Sequence, residues 1–116
     1  MYFQPLTNQR ARQGDRVVLE CQVPPFPAPE KVQWYRNEIE IFTSPDYTIS
    51  FSVGGTASLV IAEVFPEDSG KYACLVTVNG VSNSTSMQLE VTGTLPYYHC
   101  TKLDMQHCQV KKLVLP

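Results

Sequence analysis

Apolar and polar residues alternate along most of this chain, in short stretches that are separated by turn residues. Successive side chains of a β-strand point to opposite faces, so a period of two indicates strands with one buried face. The alternating apolar positions are Val17, Leu19, Cys21 and Val23; Val32 and Trp34; Tyr47, Ile49 and Phe51; Leu59 and Ile61; Tyr72, Cys74, Val76 and Val78; and Met87, Leu89 and Val91. Residue pairs that favour tight turns lie between them, at Gly14-Asp15, Gly54-Gly55 and Asn79-Gly80.

The number and spacing of these stretches predict an all-β fold. About seven to nine short strands, with turns roughly every 8 to 12 residues, are typical of a β-sandwich. No stretch of helical period stands out within residues 1 to 92. The turn predicted at residues 36 to 38 leads into a short apolar segment, residues 39 to 42, which we expect at a sheet edge.

Two cysteines and one tryptophan are spaced as the centre of a two-sheet sandwich requires. Cys21 and Cys74 are 53 positions apart, and Trp34 follows the first cysteine by 13 positions. In such sandwiches one strand of each sheet contributes a sulfur, and the indole packs against the pair. Tyr72 stands at the tyrosine-corner position two residues before Cys74, and Gly70 has no Cβ to hinder a tight turn into that strand.

In this order and spacing, Cys21, Trp34, Leu59-x-Ile61 and Asp68-x-Gly70-x-Tyr72-x-Cys74 resemble an immunoglobulin domain of the intermediate (I-set) type. The resemblance implies an immunoglobulin-like β-sandwich of two antiparallel sheets with Greek-key connections. It also implies a split first strand, whose second part, residues 7 to 12, joins the other sheet. The expected structural core comprises Cys21, Trp34, Leu59, Asp68, Gly70, Tyr72 and Cys74.

The resemblance also suggests how the chain is divided and what it does. We expect an I-set domain over residues 1 to 92, and a tail or linker, partly disordered, over residues 93 to 116. Residues 58 to 70, SLVIAEVFPEDSG, look most like I-set domains of titin, palladin, myopalladin and related muscle or actin-cytoskeleton proteins. That likeness implies a non-catalytic module for protein interaction and structure within a larger intracellular scaffold of the cytoskeleton or sarcomere.

An extracellular adhesion or receptor module is the alternative. It would carry a disulfide between Cys21 and Cys74, whereas cytosolic conditions would keep these residues as two buried thiols. It would also carry an N-linked glycan on Asn83, since Asn83-Ser84-Thr85 fits the acceptor sequence. The sequence alone leaves both the redox state and the compartment open.

Length and charge exclude several classes of function. A chain of 116 residues is large enough for one domain but too short for two. Residues 1 to 92 hold six basic and ten acidic side chains, whereas residues 93 to 116 hold three lysines and one aspartate. A domain of net charge −4 is poorly suited to nucleic acid, whose binding depends on phosphate neutralisation. No apolar run approaches the roughly 20 residues that span a bilayer, so we expect no membrane partner.

No set of residues implies catalysis or a cofactor within the sandwich. Both histidines, His99 and His107, lie in the tail, so the domain has none for a catalytic triad. In the tail each histidine precedes a cysteine, Cys100 or Cys108. These residues could bind zinc, but the usual ligand spacings are missing. A Cys100 to Cys108 disulfide and a simple linker are the other interpretations.

One face of the predicted sandwich is the best candidate for a binding surface. The outward side chains of the sheet that carries Trp34 and Cys74 should be Gln33, Tyr35, Ala73, Leu75 and Thr77. An outward tyrosine beside a leucine is typical of protein interfaces, so we predict that a protein partner binds there. We expect the isolated domain to be a monomer. Smaller candidates are an apolar spot at Val18 and Val60 and a basic cluster at Arg10, Arg12 and Arg16.

Overall fold

The computed structural model describes residues 5–23, 27–52 and 54–93, which form eight β-strands and one 3₁₀ turn. The strands are β1 (Gln9–Arg12), β2 (Val17–Gln22), β3 (Lys31–Arg36), β4 (Ile39–Ile41), β5 (Tyr47–Phe51), β6 (Thr56–Ile61), β7 (Gly70–Val78) and β8 (Val81–Thr92), and the 3₁₀ turn η1 is Pro66–Asp68. The predictions for the tail, including those for His99, Cys100, His107 and Cys108, lie outside the described residues.

The strands form two sheets, as the alternating pattern predicted. One sheet has five strands in the order β1-β8-β7-β3-β4, and the other has three in the order β2-β6-β5. All neighbouring strands are antiparallel except β1 and β8, which are parallel. The prediction that residues 7 to 12 join the other sheet is therefore confirmed for residues 9 to 12, which form β1 beside β8, and the all-β sandwich is confirmed as a whole.

The apolar positions of the alternating stretches form one core between the sheets. Leu19, Trp34, Leu59, Tyr72 and Cys74 are fully buried in it. The strand β5 differs from the others, because Tyr47 and Ile49 are only half-buried and Phe51 is exposed. This difference follows from its place at the edge of the three-stranded sheet, where one flank of each side chain has no neighbouring strand.

The end of the sandwich at η1 is held by the tyrosine corner that the sequence predicted. The Tyr72 hydroxyl donates to the Asp68 carbonyl at 2.7 Å, and the Phe65 N–H donates to Asp68 Oδ2 at 2.7 Å. Arg36 reaches the same turn, because its guanidinium donates to the Glu67 carbonyl and lies 3.9 Å from Asp68 Oδ1. Burial raises the pKa of Tyr72, so its hydroxyl keeps its proton and acts as a donor at ordinary pH.

Gly70 allows the β3–β4 turn to approach the start of β7. Its φ is +153°, and a Cβ at this position would lie 2.8 Å from Asn37 Oδ1. That oxygen accepts a hydrogen bond from the Lys71 N–H at 3.0 Å. The glycine therefore permits a contact that joins two parts of the five-stranded sheet.

Replacing Tyr72 with phenylalanine should lower the free energy of unfolding by about 1 to 2 kcal/mol, because a buried hydrogen bond is lost without a large change in volume. Urea denaturation followed by tryptophan fluorescence measures this change. Tyr35→Phe is the control, since its ring lies on the outer face, and it should change stability by less than about 0.5 kcal/mol. Equal effects of the two substitutions would contradict the role of the corner.

Replacing Gly70 with alanine should destabilise the domain more than Gly14→Ala does. Gly14 also has a positive φ, +95°, but no atom lies within 4 Å of a Cβ placed there. Both variants carry the backbone strain, of about 1 kcal/mol or more, whereas only Gly70→Ala also displaces Asn37. Urea denaturation of the two variants in parallel checks the order, and an equal loss would show that the contact with Asn37 has no energetic weight.

Candidate partner-binding face

Strand pairing brings the four predicted partner-face residues onto the outer surface of the five-stranded sheet. Strands β3 and β7 pair there, so that Lys31, Gln33 and Tyr35 of β3 lie opposite Thr77, Leu75 and Ala73 of β7. The predicted residues Gln33, Tyr35, Leu75 and Thr77 are all half-buried there. Their inward neighbours Trp34 and Cys74 are buried, as the period of two requires.

The middle of this face is a shallow apolar groove of about 250 Å³. Tyr35, Ala73 and Leu75 supply its apolar lining, and Ser84 of β8, the cross-strand partner of Leu75, adds a hydroxyl. We call this surface, with Gln33 and Thr77, the partner face. An apolar centre that includes a tyrosine, with polar groups around it, is an arrangement that protein interfaces favour.

Polar pairs surround the apolar centre. The Gln33 Nε2 donates to Glu40 Oε2 at 3.2 Å, and the hydroxyls of Thr77 and Ser82 are 2.8 Å apart. At the η1 end, Lys71 Nζ lies 3.5 Å from Glu38 Oε2, with both side chains substantially exposed. Exposed ion pairs contribute little to stability, so this pair is available to select a partner by charge.

Sequence reasoning missed Glu38, Glu40, Lys71 and Ser84 as members of this surface. Glu38, Glu40 and Ser84 come from the β3–β4 turn and from neighbouring strands, so their proximity depends on strand pairing. Lys71 lies on β7 two residues before Ala73, so the period of two within that strand already indicated its place. A signal for Ser84 did exist. The Asn79-Gly80 turn pairs Val78 with Val81, and counting back along both strands places Ser84 opposite Leu75.

The two smaller surface candidates lie on different sheets: the apolar spot is on the opposite side of the sandwich, whereas Arg10 and Arg12 of the basic cluster lie on β1, at the far edge of the sheet that carries the partner face. Val18 and Val60 are cross-strand partners on the outer face of the three-stranded sheet, and both are half-buried. Arg10 forms an ion pair with Glu90 at 3.1 Å, and Asp15 accepts a hydrogen bond from the Arg12 N–H. The carboxylates of Glu90 and Asp15 therefore neutralise part of the positive charge of the basic cluster. Sequence reasoning did not connect Glu90 to this cluster.

The central cysteines lie where the sequence placed them. Trp34 pairs with Cys74 across β3 and β7, and Cys21 reaches the same point from the other sheet. Both cysteines are buried free thiols. The hydrogen bond with Cys21 and burial raise the pKa of Cys74, which disfavours the reactive thiolate.

Other candidate chemistry is limited in the part of the chain that the structure describes. Within residues 5–23, 27–52 and 54–93, no three His, Cys, Asp or Glu side chains are grouped as metal ligands. Asn83 is exposed on β8, so the acceptor sequence is accessible. The same residues include no helix of the length and apolar character needed to cross a bilayer.

The sequence matches the immunoglobulin I-set domain family over residues 2–91. It is 40% identical to palladin of Mus musculus over 92 residues, which make up 79% of this chain and 6% of that protein. It is 37% identical to myopalladin of Mus musculus over 92 residues, or 79% of this chain and 7% of that protein. The chain thus spans less than a tenth of the length of these curated relatives.

Solved structures give the same result. The titin domains Z1Z2 in complex with telethonin match with a TM-score of 0.73 and 38% identity, covering 80% of this chain and 47% of that chain. Palladin, myopalladin and titin are muscle and cytoskeletal proteins, as the sequence analysis expected of the relatives of this chain. The partner-face residues remain a prediction, because similarity of fold does not identify a binding surface.

Proposed function

Because the chain belongs to the immunoglobulin I-set family, we propose that it is a non-catalytic interaction and structural module of an intracellular cytoskeletal or sarcomeric scaffold. The observation that carries this proposal is the partner face, whose apolar centre of Tyr35, Ala73 and Leu75 is enclosed by polar pairs. Likeness to palladin, myopalladin and titin supports the class of scaffold.

A rigid sheet is a suitable platform for such binding. The partner-face side chains project from β3 and β7, whose backbones pair along six consecutive positions. Side chains held in this way lose little conformational freedom when a partner arrives, which lowers the entropic cost of association. Tyr35 would supply the anchor, and the ion pair of Lys71 and Glu38 would select partners by charge.

The module also suits a mechanical role within a longer protein. Strand β1 is joined to the long strand β8 by a parallel ladder from Gln9 and Leu89 to Arg12 and Thr92. If force acts along the chain, these hydrogen bonds are loaded together, and the two strands must separate before the core opens. Resistance to extension would thus come from the short ladder that joins the first and last strands of the domain.

A secreted module is the second candidate, and the exposure of Asn83 on β8 favours it. The side chain can accept a glycan without disturbing the core. Intact-mass analysis of the protein isolated from its native tissue, before and after reduction, distinguishes the two proposals. An intracellular scaffold predicts no glycan on the protein isolated from its native tissue, whereas a secreted module predicts a glycan at Asn83 and a mass shift on reduction.

The double variant Tyr35→Ala, Leu75→Ala should lose partners that the native domain captures from muscle or non-muscle lysates, because it removes the apolar centre of the partner face. A loss of about tenfold or more in captured protein is expected if Tyr35 is an interface anchor. Quantitative mass spectrometry of the bound fractions measures it.

The matched control is Val18→Ala, Val60→Ala, which truncates two half-buried cross-strand partners on the opposite outer face. This control should retain the captured proteins. Circular dichroism and urea denaturation must show that both variants are folded. Identical capture by the native protein and by both variants would refute the partner face while leaving the fold untouched.

A further inference from the structure

Strand β4 is an open edge of the five-stranded sheet in the described part of the chain. Asn37 and Glu38 join β3 to β4 as a two-residue turn, and both have positive φ, 48° and 73°. Arg36 and Ile39 close such a turn as a hydrogen-bonded pair, so the next pair, Tyr35 and Glu40, does not bond across the ladder. The N–H and C=O of Glu40 therefore point away from β3, toward the open edge.

An apolar groove of about 560 Å³ lies beside this edge. Ile39, Ile41, Phe42 and Tyr47 line it, with Arg36 at its η1 end. Ile39 is 73% exposed and Phe42 68% exposed, the two most exposed large apolar side chains of the described residues. Free backbone groups next to exposed apolar side chains are the two features that strand addition uses.

Charge argues against a second copy of this chain as the occupant of the edge. Two β4 strands related by a twofold axis would bring Glu40 and Glu38 of one copy against the same residues of the other. Strand β4 is only three residues long, so a shift in the register of the two β4 strands could not separate these carboxylates. Like charges opposite one another destabilise a strand pair. An occupant with basic residues between apolar ones fits better.

Residues 109–115 of this chain, QVKKLVL, have that composition. They lie outside the described residues and are considered by their sequence alone. In an extended conformation, one side would present Lys111, Leu113 and Leu115, and the other Val110, Lys112 and Val114. We propose that this segment adds to the free edge of β4, with apolar side chains against Ile39 and Phe42 and a lysine beside Glu40.

The net charges of the two parts of the chain support this pairing. Residues 1 to 92 have a net charge of −4, from six basic and ten acidic side chains, and residues 93 to 116 have a net charge of +2, from three lysines and one aspartate. Attraction between the two parts favours approach of the segment to the domain, and Glu38 and Glu40 mark the acidic part of the β4 edge. The attraction weakens with added salt.

The chain leaves the domain near enough for this docking. A Cβ on Gly93 would lie 3.2 Å from Pro66, and Arg36 donates to the Glu67 carbonyl, so the exit of β8 and the β3–β4 turn are at the same end. Residues 94 to 108 connect Gly93 to the segment, and 15 residues span up to about 50 Å when extended. A tethered segment acts at an effective concentration on the order of 1 mM, so even a dissociation constant of about 0.1 mM would keep about nine in ten molecules docked.

Amide hydrogen exchange of Glu40, measured by NMR on the full chain, tests the proposal. Docking covers the Glu40 N–H, so reversing the two lysines of the segment (Lys111→Glu, Lys112→Glu) should speed its exchange about tenfold, the ratio that nine-tenths occupancy implies. The control variant Arg16→Glu, Lys31→Glu makes the same change in net charge with two exposed basic residues of the domain and leaves the charge of the tail unchanged. It should leave the exchange rate as in the native chain.

A charge exchange makes the test specific. Adding Glu40→Lys to the segment variant should restore slow exchange at position 40, because the attraction between edge and segment returns with opposite signs. Equal exchange rates in the native chain, the segment variant and the control would overturn the proposal. Protection that rises with protein concentration would also overturn it, since the occupant would then be a second copy. Neither result bears on the partner face, which is tested separately.

Discussion

The packing of Trp34 against the two central cysteines is the constraint on which the rest of this structure depends. Trp34 and Cys74 are cross-strand partners in one sheet, and Cys21 meets them from the other. Because side chains alternate, a slip of one residue between β3 and β7 would expose the indole and bury Gln33 and Tyr35. Burial of one large side chain thereby sets the register, and the register decides which residues face outward.

A second set of contacts holds the η1 end of the sandwich. Asp68 accepts hydrogen bonds through its carbonyl and its carboxylate, from Tyr72 and Phe65, and Arg36 lies against the same turn. Asn37 adds a bond to the start of β7. The β3–β4 hairpin is therefore anchored at its turn, which positions Glu38 on the rim of the partner face and leaves β4 as a free edge.

The partner face and the β4 edge offer two different kinds of recognition. The partner face presents side chains of paired strands, so binding there depends on the complementarity of side-chain surfaces. The β4 edge presents backbone groups of Glu40 with an apolar groove beside them, so binding there depends on main-chain hydrogen bonds with pockets for alternate side chains. A partner on the face and a strand on the edge both come close to Glu40, and each would alter the surroundings of the other.

The sequence by itself determined the strands, the core and the family of this protein. Period-two alternation identifies the buried positions because one face of each strand must leave water, and the spacing of Cys21, Trp34, Tyr72 and Cys74 specifies how two sheets meet. It also placed Gln33, Tyr35, Leu75 and Thr77 on a common outer face, since each is one residue away from a core position. These features follow from the alternation of side chains within a strand, so they can be derived from the sequence.

Only the tertiary structure decided what surrounds those positions. Glu38 reaches the rim of the partner face from the β3–β4 turn, the Glu90 carboxylate forms an ion pair with Arg10, and Phe51 is exposed because β5 is an edge strand of its sheet. The sheet edge predicted for residues 39 to 42 is confirmed, but only the structure showed that this edge belongs to the sheet of β1, β8, β7 and β3. These features arise from contacts between segments far apart in sequence, and alternation within one strand carries no information about which strand lies beside it.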